Sequence, residues 1–399
     1  MLWRRRSDVV FKEIGELRDI RHFSKVILPI SLSFFIYTFG WGAMAPVFSI
    51  YVNGITKSAF LTGLILSITT MAGVFLNIPF GIIAEKINMK RVLQATLLFY
   101  SALALLYPYA NGFVPLLLLS VGRGIASSFL WLTSWAYIFV FTEKAVKGKE
   151  TSFFSDMNDL ASAVSPIIGG VLAALAFFAP FYLLSLTSFF AFIIVSVRLK
   201  ESPKMHGTPL KRQMSKLAAY LRDSKFRKTV LLIVIFYALV NVYYSFLSVF
   251  LNGRGVSIQL IGVILTVALI PAVILEVPIG HLIDKHGIRK TLSAAVLLTT
   301  ISALMIPISG DVYSMSVAII GFTVSYTAIF IALYSRMFDS MRKDKVVITG
   351  AIATFKDLGY TVGPLLAGIL ISVVGIGSTF LITGGAFVLL LPIALSLRD

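Results

Sequence analysis

Cysteine is absent from the 399 residues. That excludes disulfide staples, thiolate metal sites and cysteine nucleophiles. Histidine is scarce, and His22, His206, His281 and His286 are too scattered to suggest a metal cluster. Charged residues make up 13% of the chain, with only 18 acidic ones, against about 25% charged in soluble domains. So little charge cannot cover a water-facing surface of this size. Apolar residues take its place, at 58% of the chain and a mean hydropathy of +0.91. The composition belongs to a membrane protein rather than to two or three soluble domains.

A helix needs about 20 apolar residues to cross the hydrocarbon core. Twelve such runs lie at about 26–51, 59–84, 92–109, 114–141, 152–178, 181–198, 229–251, 258–283, 290–308, 312–337, 347–374 and 378–397. Lipid cannot satisfy backbone polar groups, and these runs are too long and too evenly apolar for barrel strands. Helices are therefore required. Residues 1–25 are charged throughout, and the run from Val26 is too long for the core of a cleavable signal. Within that tail Val10, Ile14 and Leu17 recur at helical spacing, which predicts a short amphipathic helix on the membrane surface.

The net charge of +17 would suit a nucleic-acid partner if it were clustered on one soluble face. Instead, 31 of the 35 lysines and arginines fall in the two tails and in alternate gaps between runs. That asymmetry puts both termini in the cytoplasm, against anionic lipid, and argues against nucleic acid. The long gap from Arg198 to Lys228 is the most basic. There Leu210, Met214, Leu217 and Leu221 predict a second amphipathic helix. The expected organisation is a cytoplasmic segment 1–25, a six-helix half 26–198, a linker 199–228 and a second half 229–399.

The halves repeat. Asn53-Gly54 returns as Asn252-Gly253, Gly63 as Gly262, Pro79 and Gly81 as Pro278 and Gly280, and Gly122 as Gly321, all 199 residues apart. After one net deletion Asp159 matches Asp357 and Pro166 matches Pro364. Two such halves in one orientation make a design that rocks about a central site. Between the second and third runs of the second half, Gly280-His281-Leu282-Ile283-Asp284-Lys285-His286-Gly287-Ile288-Arg289-Lys290 resembles the loop motif G-x-x-x-D-R/K-x-G-x-R/K-R/K of the major facilitator superfamily. A weaker copy, Gly81, Glu85, Lys86, Lys90 and Arg91, occupies the same place in the first half, with Asn88 where the second glycine would be.

The resemblance implies an all-α membrane protein with twelve transmembrane helices in two six-helix repeats, the major facilitator fold. It also implies a cytoplasmic gate in which Glu85 and Asp284 meet the starts of the spans near Val347 and Ser152. A carboxylate there is favoured by the helix dipole. In the fifth span Ala161, Ser165, Pro166, Gly169 and Gly170 resemble the glycine-proline pattern of the drug/proton antiporter branch, with two glycines replaced. Gly359, Gly363 and Pro364 keep those glycines in the eleventh. The same residues serve tight packing and a kink. The family's fourth-span arginine would fall at Ser120, and here Arg123 stands one turn away.

Ionisable residues inside spans are functional candidates. Proton-coupling candidates are Glu276, Asp159, Arg123, Asp156 and Asp357. In the superfamily fold the fifth and eighth helices face each other, so Asp159 and Glu276 would be neighbours. Two ionised carboxylates repel, so such a pair holds a proton. Lys356 and Asp357 read as a locally neutralised structural pair. The fold also implies a solute cavity lined by the first, fourth, seventh and tenth helices, with Tyr37, Trp41, Trp131, Trp135, Tyr237, Asn241 and Tyr326 as candidates. Aromatics beside few polar groups suit amphipathic or cationic organic solutes.

No catalytic constellation, filter loop or phosphate-binding G-x-x-x-x-G-K-S/T is visible. The expectation is therefore a monomeric, cofactor-free secondary transporter of the cell membrane. It would most readily be a proton-coupled exporter of small organic compounds. The alternative is a proton-coupled importer of sugars, organic acids or other nutrients.

Overall fold

The computed structural model describes residues 26–86, 88–142, 147–202, 215, 218–340 and 345–396. The predicted amphipathic helix of the tail, and most of the linker helix, lie outside them.

Among the described residues twelve helices are long and apolar enough to cross a membrane. The first six are α1 Ile27–Thr56, α2 Ala59–Lys86, α3 Met89–Leu106, α4 Phe113–Phe141, α5 Lys147–Leu175 and α6 Ala179–Arg198. The second six are α7 Ser224–Gly253, α8 Ile258–His286, α9 Ile288–Ile308, α10 Val312–Ser340, α11 Lys345–Val374 and α12 from Ile376 to Ser396. α12 passes through a 3-10 turn at Phe387–Leu389. Pro392 lacks the N–H that Val388 would otherwise bond, which explains the tightening there. The runs read from the sequence match these helices, except that several helices extend a turn or so beyond the apolar run.

Exposed positions carry large apolar side chains, such as Leu118, Leu175, Val197 and Ile274. A water-facing helix would be polar there, so these faces suit hydrocarbon. Helix ends alternate between two faces. One face carries most of the lysines and arginines and is called the basic face below.

The duplication is visible in the packing between halves. Gly170 of α5 meets Gly262 of α8, and a Cβ on Gly170 would lie 2.7 Å from the Ile258 carbonyl. The repeat-related contact joins α11 to α2, where a Cβ on Gly368 would lie 2.6 Å from the Ala59 carbonyl and 3.2 Å from the Gly63 Cα. Both contacts lie in the halves of the helices away from the basic face. Only glycine permits backbones this close. Within the halves, Gly359 and Gly363 press α11 on α7, and Gly42 and Gly169 serve the α1–α5 contact.

The loop motif has a conformational reason. Gly287 ends α8 and precedes α9 at φ 84°, a backbone that favours glycine. In the first half Asn88 sits at φ −65° instead, and its side chain caps α3 by accepting from the Lys90 amide at 3.1 Å. Arg91 pairs with Glu201 at 3.4 Å on the surface.

Candidate functional site

A cavity of about 190 Å³ lies between the halves, with Trp41, Ser162, Tyr244, Leu265, Phe322 and Thr323 among the residues lining it. With Ile306 also on its wall, six helices contribute to it: α1, α5, α7, α8, α9 and α10.

Three carboxylates gather where α5 faces α8. Glu276 feels the charge of Asp159 first and Asp156 second. Asp159 also accepts from Ser155 Oγ at 3.4 Å. This is the juxtaposition that the superfamily resemblance implies. Asp357, the repeat partner of Asp159, packs against Gly73 of α2 in the equivalent place. Thr361, one turn on, meets Thr70 of α2 at 3.1 Å.

Arg123 is elsewhere. It is 4% exposed inside the first half, its guanidinium 4.6 Å from the Trp41 ring centre and 4.1 Å from that of Phe48. Its charge acts on Tyr37, Tyr100 and Tyr107. It forms no ion pair among the described residues, and Nη1 has no hydrogen-bond partner among them. Its charge is not among those acting on Asp159 or Glu276. Aromatic faces hold this cation, apart from the carboxylates of α5 and α8.

The expected cavity aromatics divide. Trp41 lines the cavity. Trp131 packs edge-on to Phe34 at 6.0 Å, and Trp135 on Phe154 at 5.1 Å, so both approach the α1–α5 seam. Tyr326 is half-buried, stacked on Phe236 at 5.5 Å and edge-on to Tyr244 at 5.9 Å. Two candidates move off the wall. Tyr37 is 3% exposed and packs on Tyr100 at 5.0 Å, and Tyr237 is 1% exposed and packs on Tyr360 at 5.0 Å. Asn241 is committed to helix packing, donating to the Tyr360 carbonyl at 2.7 Å. The residues missed were Tyr244, Tyr334 and Tyr360. Tyr326 and Tyr334 stand eight apart, and Lys356 and Tyr360 four apart, which was the available signal.

Asp284, Lys285, Arg289 and Lys290 are exposed at the basic face. Asp284 makes no hydrogen bond or ion pair among the described residues, and the side chain of Lys147, which opens α5, lies outside them. The backbone-close glycine contacts between the halves, Gly170 with Gly262 and Gly63 with Gly368, lie toward the far face. The surroundings of Gly81 and the side chains of Glu85 and Lys86 lie outside what is described.

The Major Facilitator Superfamily family model matches residues 30–261 and 230–399. The chain belongs to the major facilitator superfamily. It is 22% identical over 368 residues to an uncharacterized MFS-type transporter of Methanocaldococcus jannaschii, covering 89% of this chain and 94% of that protein. It is 21% identical to the quinolone resistance protein NorA of Staphylococcus aureus, covering 88% and 91%. In fold it is similar to an inward-facing bacterial homologue of the human lysosomal transporter Spinster. The TM-score is 0.77 at 14% identity, over 93% of this chain and 95% of that one. This superfamily member is thus a multi-pass membrane transporter of small molecules.

Proposed function

We propose that this transporter couples proton movement to the export of small organic solutes by alternating access. The observation that carries the reading is the grouping of Asp159 and Asp156 on one half with Glu276 on the other. In a medium of low dielectric such carboxylates cannot all stay ionised at low cost. Because the partners ride on different halves, separating the halves changes their mutual repulsion, so proton binding and conformation are linked. Glu276 is the principal proton carrier and Asp159 its partner. The positive-inside rule assigns the basic face, and both termini, to the cytoplasm of the cell membrane. An exporter would collect its solute from that side. Likeness to a quinolone resistance protein supports that direction. The protein works as a monomer.

A second reading is proton-coupled uptake of sugars or organic acids. It is favoured by Ala161 and Ser165, which replace glycines of the export pattern. Proteoliposomes test both. Glu276→Gln should abolish pH-driven transport with folding intact, and unchanged transport removes it from the proton path. Counterflow of dyes supports export, whereas counterflow of sugars supports uptake.

A further inference from the structure

α11 presents three distinct faces. Gly359 and Gly363 are turned to α7, where a Cβ on either would lie 2.6 Å from the nearest atom of that helix. Asp357 and Thr361 are turned to α2. At about 100° per residue, Lys356 and Tyr360 fall on the arc between these faces, toward the space between the halves. Lys356 is half-buried there. Its ammonium lies 6.0 Å from the centre of the Tyr360 ring, and its charge acts on Tyr326 and Tyr334 of α10. Tyr326 meets Tyr244, which lines the cavity. A wall of four half-buried tyrosines thus leads from the cavity to one lysine.

Lys356 makes no hydrogen bond or ion pair among the described residues. Its neighbour Asp357 contributes charge but points its carboxylate at the α2 backbone. An ammonium within a membrane protein needs a counter-charge to offset its desolvation. Tyrosine hydroxyls can donate to an anion beside it, and charge-assisted bonds of that kind are the strong ones. The carboxylates Asp156, Asp159 and Glu276 occupy the other flank, and none is among the groups acting on Lys356.

We propose that Lys356, with Tyr326, Tyr334 and Tyr360, binds the carboxylate of an aromatic monocarboxylic acid whose ring lies against Trp41, Phe322 and Tyr244. The proposal rests on the carrier reading above and adds the substrate class to it. The probes are naphthaleneacetate and its uncharged amide, titrated calorimetrically into the full chain in nanodiscs. The acid should bind at least about tenfold tighter than the amide, the scale of hydrogen bonds to a charged group. Lys356→Arg should keep that preference and Lys356→Gln should remove it. If Lys356→Gln does not fold, the double variant Tyr326→Phe/Tyr334→Phe should weaken the acid and spare the amide. Wild-type protein that binds neither probe, or both alike, overturns the assignment. So does a preference that survives Lys356→Gln or the double tyrosine variant. Glu276→Gln separates the two readings. It should keep the acid preference while stopping pH-driven transport. If pH-driven transport is absent from the wild type while the preference stands, the proton reading alone fails.

Discussion

Replacing Gly170 by alanine should bias the transporter away from the conformation described here. The new Cβ would lie 2.7 Å from the Ile258 carbonyl oxygen and 3.1 Å from the Gly262 Cα, against 3.4 Å or more for ordinary contact. The obstacles are backbone, so α5 and α8 must part by about 0.7 Å, the difference between 3.4 and 2.7 Å. Overpacking of this kind costs about 1–3 kcal/mol. The contact closes the face away from the basic residues, so the cost falls on the state in which that face is shut. A bias of this size shifts the two-state ratio about 5- to 150-fold toward opening there. The cysteine-free background makes the assay direct. A single cysteine at Ser248, which lines the cavity, is labelled in sealed vesicles by an impermeant maleimide from the far face. Labelling should rise at least about fivefold in Gly170→Ala, by that same conversion. Gly368→Ala, the repeat-related change, should do the same. Gly377→Ala, where nothing lies within 4 Å of the added Cβ, should do nothing. Unchanged labelling in folded Gly170→Ala protein would refute the argument that this glycine pair sets the closure.

Tyr243 donates to the Phe380 carbonyl at 2.5 Å and to the Ala303 carbonyl at 3.2 Å, both buried. Tyr243→Phe should cost about 1–3 kcal/mol, read as a lower unfolding midpoint in detergent, because acceptors are left unsatisfied. Asn241→Ala should lower the midpoint by a similar free energy, about 1–3 kcal/mol, by removing the tie to the Tyr360 carbonyl. Arg123→Met should be neutral or raise the midpoint, since it removes a buried cation with no ion pair among the described residues. A large loss of stability would mean that the aromatic faces of Trp41 and Phe48 more than offset its burial. Thr38 donates to Asn158 at 2.7 Å across the α1–α5 seam. Thr38→Val, which keeps the shape, should cost about 1–3 kcal/mol in a thermal melt.

Lipid forces helix wherever apolar length suffices, so the sequence alone determined the twelve spans and their tandem duplication. The offset of 199 also carried information into space. It paired Gly63 with Gly262 as equivalent positions, and both lie at contacts between the halves. After the net deletion, the offset of 198 related Asp159 to Asp357, and both lie on inter-half flanks. The placement of Glu276 beside Asp159 was implied by the superfamily resemblance, in which the fifth and eighth helices face each other. Which face of each helix looks inward was not. A span that is apolar all round has no polar stripe to mark its lipid side, so periodicity alone cannot orient Tyr37, Tyr237 or Lys356. Only the packing of α11 between α7 and α2 set Gly359 and Gly363 against the one and Asp357 and Thr361 against the other. Only the packing of α1 and α3 around α4 drew Tyr37 and Arg123 into the interior of their half. Interior contacts, not hydrophobicity, choose among faces that lipid treats alike.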